Sequence, residues 1–267
     1  MFRSFFPSQG ALADALLTQQ VRPSAQAAVT TAVKLTLTES ERDGATTTVH
    51  YFPSEKPGQW RRTPPNQRPP ELPHWGSLKP ILLDDIKPFR APQLPSLDSV
   101  AWAAEMNEVR ELGRKQSNLR TEEQTLIAEF WSDFSYTTSP AGHWNDIARD
   151  VARAKKIDLK HSARLFAVLN VAMHDACVAV WETKYHYNFW RPVTAIRRAD
   201  EDGNPATTAD TDWEPLLVTP PHPEYVSGHS GVSAAGAEVL TKLFGTDRMR
   251  FTVSSDTVKE VKRTFDS

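Results

Sequence analysis

The chain is poor in the features that announce common chemistries. It has one cysteine, Cys177, in 267 residues, which excludes an intrachain disulfide. That residue lies in an apolar helical stretch, where a thiol is expected to be buried and inert. No apolar run approaches the ~20 residues that a membrane-spanning helix requires. The N-terminal Met1-Phe2-Arg3-Ser4-Phe5-Phe6-Pro7 lacks the sustained apolar core and small-residue cleavage site of a secretory signal, so the chain reads as soluble. Charge of one sign is also missing. With 31 basic and 33 acidic residues the net charge is -2, and no basic stripe or polybasic tract argues for nucleic acid or an anionic membrane. There is no Cys cluster, His-Glu-x-x-His helix, phosphate-binding P-loop or Gly-rich dinucleotide fingerprint.

Proline and tryptophan are plentiful instead, and they divide the chain. Residues 1–52 read as an N-terminal helix, with Leu16, Leu17, Val21, Ala28 and Val29 at roughly helical spacing, followed by a polar linker. Val33 to Leu37 is a weak case of strand alternation. Residues 53–98 hold more than half of the twenty prolines, a density that forbids long helices. The interleaved Trp60, Trp75, Leu82, Leu83, Ile86 and Phe89 favour an ordered, extended wrap over a helical body. From residue 99 to 267 the pattern is that of a helical bundle. Val100, Ala103, Ala104, Val109 and Leu112 form one stripe. A capping-box pattern at Thr121 and Gln124 opens a second helix. A third runs from about Trp144 to Lys156. A fourth starts after Ser162 and carries Leu165, Leu169, Ala172, Met173, Ala176 and Val180 at steps of three and four. A fifth begins beyond His229 and ends at Gly245, and a short sixth is expected from about Asp256.

Two segments carry candidate chemistry. In the first, Lys184 and Arg191 stand seven residues apart, Pro192 follows, and Tyr185, Tyr187, Phe189 and Trp190 lie between the two cations. On a regular helix the two would share a face. A guanidinium fork beside an ammonium is a natural partner for a tetrahedral oxyanion. In the second, Ser227-Gly228-His229 sits at a loop-to-helix junction ahead of a run of small residues. Free backbone N–H groups and the positive end of the helix dipole gather there. Gly228 allows close approach to the backbone, Ser227 offers a hydroxyl, and His229 can move protons near neutral pH. His174 and Asp175 are adjacent, point in different directions on a helix, and are expected to support structure rather than chelate a metal. His143 and His186 read as packing or surface residues.

Taken together, the two segments, the intervening Val193-Thr194-Ala195-Ile196-Arg197, and the upstream Pro57-Gly58-Gln59-Trp60 and Pro73-His74-Trp75-Gly76 resemble bacterial vanadium-dependent haloperoxidase-like proteins of the type 2 phosphatidic acid phosphatase superfamily. The resemblance spans roughly residues 55–250. It implies a mainly α bundle with the Pro-rich segment as an extended arm. It also implies that Lys184, Arg191, Ser227 and Gly228 hold vanadate and that His229 is the acid–base residue. The implied activity is peroxidase oxidation of halide, with hydrogen peroxide and a halide or organic compound as partners. The alternative is an acid phosphatase using the same cage without a cofactor. Val226 stands where the family motif has Pro before Ser-Gly-His, and His222 is a second histidine close by. The family's third motif supplies a further Arg and the vanadate-bound or nucleophilic His. Arg263 has no His after it, so that His is expected beyond Ser267. A third expectation follows: a truncated, inactive fragment in which Val232, Val239, Leu240, Leu243 and Phe244 are left exposed.

Overall fold

The computed structural model describes residues 25–134 and 136–266. The expected helical residues Leu16, Leu17 and Val21 lie outside that range. The fold is mainly α-helical, with seven α-helices among the described residues: α1 (Gln26–Ser40), α2 (Val100–Leu112), α3 (Glu122–Phe130), α4 (Ser139–Ala154), α5 (Leu159–Tyr187), α6 (Pro192–Arg197) and α7 (Gly228–Phe244). A single two-stranded antiparallel hairpin follows, β1 (Phe251–Ser254) with β2 (Lys262–Phe265), in the register Phe251 to Phe265 and Val253 to Arg263.

Helix α5 organises the rest. Its N-cap is Asp158, whose side chain accepts from the His161 N–H at 2.8 Å. By length and composition it could cross a membrane, although charged residues interrupt the run of apolar ones. Here it is the central element, packed by α7, α4 and the 3-10 turn at Trp75–Ser77. Leu165, Leu169 and Met173 on α5 share a core with Phe130, Ile147, Val151, Val232, Leu240 and Val253. Each such side chain removed from water stabilises the fold by ~1.5–3 kcal/mol. The α7 residues expected to be uncovered are therefore partly or wholly buried. Val232 and Leu240 lie inside this core, and Val239, Leu243 and Phe244 are partly buried against it.

A second core gathers Trp102, Met106, Trp190, Val193, Ile196 and Trp213. Here the expected stripe of α2 is rotated: Trp102, Ala103 and Met106 point inward, while Val100 and Val109 are exposed. The aromatic decides the face. The Trp102 indole donates to Asp202 at 3.0 Å and stacks near Trp190, with ring centroids 6.1 Å apart. Two further expectations are corrected. Val33 to Leu37 lies within α1, and the stretch from Asp256 is the turn of the hairpin rather than a helix.

The Pro-rich segment runs across this body with two 3-10 turns and no α-helix between residues 53 and 98. Trp60 and Ile86 are buried, whereas Leu82 and Phe89 are exposed. The arm is fastened by polar bonds. The Asp175 carboxylate accepts from the N–H groups of Ile81, Leu82 and Leu83 at 2.7, 2.9 and 3.2 Å, and His174 Nδ1 contacts it at 3.0 Å. Burial alone would raise the Asp175 pKa, but these donors hold it below the usual carboxylate value. His143 is likewise structural, placed between Asp133 and the Ser254 carbonyl at 2.7 Å.

Candidate oxyanion site

The first candidate segment is not one continuous helix. α5 ends at Tyr187, and Asn188 adopts the left-handed conformation (φ 50°) as its C-cap. Asparagine tolerates that conformation better than most residues. The chain then turns, Arg191 becomes the N-cap of α6, and Pro192 takes the first helical position, where its missing N–H is harmless. Lys184 thus comes from the last turn of α5 and Arg191 from the start of α6. They meet by the turn, not by sharing a helical face.

The arm holds this turn in place. The Trp60 N–H donates to the Asn188 carbonyl at 2.7 Å and the Trp190 N–H to the Gly58 carbonyl at 3.0 Å. The Glu71 N–H donates to the Pro221 carbonyl at 2.8 Å, and the Tyr185 hydroxyl donates to the Glu71 carbonyl at 2.6 Å. One residue of the arm therefore ties α5 to the loop that leads into α7. That loop is joined to the first segment directly, through the Glu224 N–H and the Phe189 carbonyl at 3.0 Å.

Lys184 is 1 % exposed. Its Nζ donates to the carbonyls of Pro223 and Glu224 at 3.0 and 2.9 Å. Burial, and secondarily the neighbouring Arg191, push its pKa down from 10.5 to about 7, while Glu224 opposes the fall. Arg191 Nε lies 2.9 Å from Glu224 Oε2. The alignment is too poor for a hydrogen bond, so both of these buried atoms go without one. No hydrogen bond engages the two terminal nitrogens of Arg191 among the described residues.

Helix α7 begins at Gly228. Ser227 is its N-cap, with Oγ accepting from the Ser230 N–H at 3.2 Å. The N–H groups of Gly228 and His229 belong to the first turn and have no intrahelical acceptor. Gly228 has the indole of Trp181 as its neighbour, 3.7 Å from where a Cβ would stand. His229 is exposed. His222 behaves differently. Its ring packs against Trp181 at 5.4 Å, its Nδ1 donates to the Pro223 carbonyl at 3.0 Å, and burial followed by Lys184 and Arg191 drives its pKa down to about 3. It is therefore neutral near pH 7. Lys184, Arg191 and His229 all act on its charge.

The structure thus brings Lys184 and Arg191 together on the loop that leads into α7, with Glu224 in contact with both cations. Ser227 spends its hydroxyl oxygen as a helix cap, and its O–H hydrogen remains available. Glu224 was not among the residues to which the sequence pointed. The available signal was a carboxylate three residues before Ser227 in a loop otherwise rich in proline. No group of three or more His, Cys, Asp or Glu residues suited to a metal ion occurs among the described residues. The donor set is instead one for an anion: a guanidinium with free terminal nitrogens, an ammonium and first-turn N–H groups. It fits a tetrahedral oxyanion such as vanadate.

Residues 164–266 match the family model of the VCPO second helical-bundle domain. The vanadium chloroperoxidase of Curvularia inaequalis is 29% identical over 148 residues, a match covering 48% of this chain and 24% of that protein. Among solved structures, a bacterial vanadium-dependent iodoperoxidase is 32% identical with a TM-score of 0.68, over 85% of this chain and 55% of its own. The holo form of a bacterial vanadium-dependent chloroperoxidase aligns over 100% of this chain and 70% of its own, with a TM-score of 0.73; at 17% identity it speaks for the fold alone. The chain spans about a quarter of the curated relative and little more than half of the iodoperoxidase.

Proposed function

We propose that the chain is a vanadium haloperoxidase-like protein whose site holds vanadate and serves the oxidation of a halide by hydrogen peroxide. Lys184 and Arg191 supply the cationic walls, with Ser227 and the Gly228 N–H as further donors. His229 moves the proton. The observation that carries this reading is that a buried ammonium and a guanidinium, from two different helices, both lie against the Pro223–Glu224 loop that leads into α7.

When bound, vanadate supplies the Lewis-acid centre at which peroxide is activated. The protein's part is electrostatic preorganisation. Lys184 and Arg191 sit ready before any anion arrives, so little reorganisation is required when charge develops. Lys184, with a pKa of about 7, is readily charged once an anion lies beside it. His229, exposed at the helix start, can exchange protons with solvent. His222, neutral at working pH, is unsuited to deliver a proton. These states support the assignment of His229 over His222 as the acid–base residue.

The test is equilibrium binding of orthovanadate to the wild-type chain and to the variants Lys184→Ala, Arg191→Ala and Lys155→Ala. Losing a hydrogen bond between charged groups costs ~1.5–3 kcal/mol, so each cage variant should bind roughly tenfold or more weakly, and the surface variant should bind like wild type. Equal binding by Arg191→Ala would overturn the proposal. Parallel assays separate the chemistries. Vanadate-dependent bromide oxidation supports the peroxidase reading, and hydrolysis of a phosphate monoester without it supports the phosphatase alternative.

A further inference from the structure

Glu224 occupies an unusual position in an anion site. Its N–H is fixed to the Phe189 carbonyl, its own carbonyl accepts from Lys184 Nζ at 2.9 Å, and its carboxylate Oε2 lies 2.9 Å from Arg191 Nε. One acidic residue therefore holds both cations. The carboxylate contacts the guanidinium from its Nε edge and leaves the terminal nitrogens unengaged among the described residues. The buried Oε2 has no aligned donor, and the side chain is 37% exposed, so the carboxylate remains an unsatisfied acceptor at the mouth of the site.

An oxyanion entering beside Arg191 must therefore face a fixed negative charge. A bare, doubly charged oxyanion is repelled by it. An oxyanion that keeps a proton carries less charge and can donate that proton in a hydrogen bond to the carboxylate. Both effects act in the same direction. We propose that Glu224 makes the site selective for protonated, singly charged oxyanions. Vanadate holds its second proton to higher pH than phosphate does. Near neutral pH vanadate is therefore mainly the dihydrogen monoanion, while phosphate is a mixture with its dianion. Glu224 would then favour vanadate over phosphate by protonation state, independently of any difference in size between the two. This inference rests on the oxyanion reading of the site and adds the charge and protonation state of the ligand.

The experiment is calorimetric binding of inorganic phosphate and sulfate at about pH 6, where phosphate is a protonated monoanion and sulfate a bare dianion of the same geometry. Orthovanadate serves as the positive control. Wild type should bind phosphate about tenfold or more tightly than sulfate, a modest share of the Coulomb energy of one unit charge at close range. Glu224→Gln keeps the side-chain shape and should narrow the gap to about twofold, mainly by gaining sulfate affinity. Glu224→Asp keeps the charge and should preserve the preference. A gap unchanged in Glu224→Gln overturns the inference. Equal binding of sulfate and phosphate by wild type does so too, and needs no variant should Glu224→Gln fail to fold. The underlying reading fails differently: wild type binds none of the three anions, or Arg191→Ala binds them as wild type does.

Discussion

Changing Lys184 to Met should remove a pH dependence of stability that the buried ammonium creates. The side chain is 1 % exposed, and its folded pKa is about 7 against 10.5 for a free lysine. Desolvation is the main cause, Arg191 adds to it, and Glu224 opposes it. Because the folded value is the lower one, the native state releases the proton first. Between pH 7 and 10.5 the unfolded chain binds more protons, so stability rises with pH across that window. Each unit is worth about 1.4 kcal/mol, so raising the pH from about 7 to 9 should add roughly 2 kcal/mol through Lys184. His222 titrates below this range; His143, whose pKa is raised by its bond to Asp133, and the Cys177 thiol, pushed up to about 11 by burial, both act with the opposite sign. Urea unfolding followed by tryptophan fluorescence at the two pH values measures the change. Lys184→Met loses two hydrogen bonds to carbonyls, so its absolute stability is set by more than charge. The difference in pH slope between variant and wild type isolates the ammonium. A variant slope equal to that of wild type, or more positive than it, would refute the reasoning.

Two other perturbations follow from the packing. Asp175→Asn removes the charge that gathers three N–H groups of the arm, and should cost about 2–4 kcal/mol. Limited proteolysis should then cut first within residues 79–95, and an unchanged cleavage pattern would count against Asp175 as the fastening. Gly236→Ala should destabilise despite the ~1 kcal/mol helix preference of Ala over Gly. The new Cβ would stand 2.5 Å from Trp144 Cδ2, and that ring is held by its N–H bond to Ser233 Oγ at 3.0 Å. Overpacking of this kind costs ~1–3 kcal/mol, so a higher melting temperature for the variant would contradict the tight α4–α7 contact.

How much of this was legible depended on how local each signal was. The Thr121 and Gln124 capping box is complete in the structure, and Gly245 ends α7 in the left-handed conformation, because caps are decided within a few residues. The spacing of Leu165, Leu169 and Met173 fixed the inner face of α5 for the same reason. The face of α2 was misjudged because it depends on Asp202 and Trp190, far along the chain. The alternation at Val33 to Leu37 misled because α1 buries none of its residues and so has no inward stripe to reveal its period. The hairpin was hidden by its size: four-residue strands, with Phe251 and Phe265 paired across a long connection at 5.5 Å.

The site followed the same rule. Lys184, Arg191 and the Ser227–His229 junction were visible as residue types suited to an anion. That they should meet was implied by the resemblance; the means by which Lys184 and Arg191 approach each other was not legible, because it is the Asn188 turn and the arm bonds at Gly58, Trp60 and Glu71. Glu224 escaped notice because its role exists only once Phe189, Lys184 and Arg191 are placed around it.

The central claim is that Lys184, Arg191 and the start of α7 form one oxyanion site. A crystal structure of the chain with saturating orthovanadate tests it most directly. The account predicts a tetrahedral anion against the terminal nitrogens of Arg191, within reach of Lys184 Nζ and of the first N–H groups of α7. Anion density bound elsewhere with this position filled by water, or Arg191 turned fully onto Glu224 and closed to the anion, would contradict it.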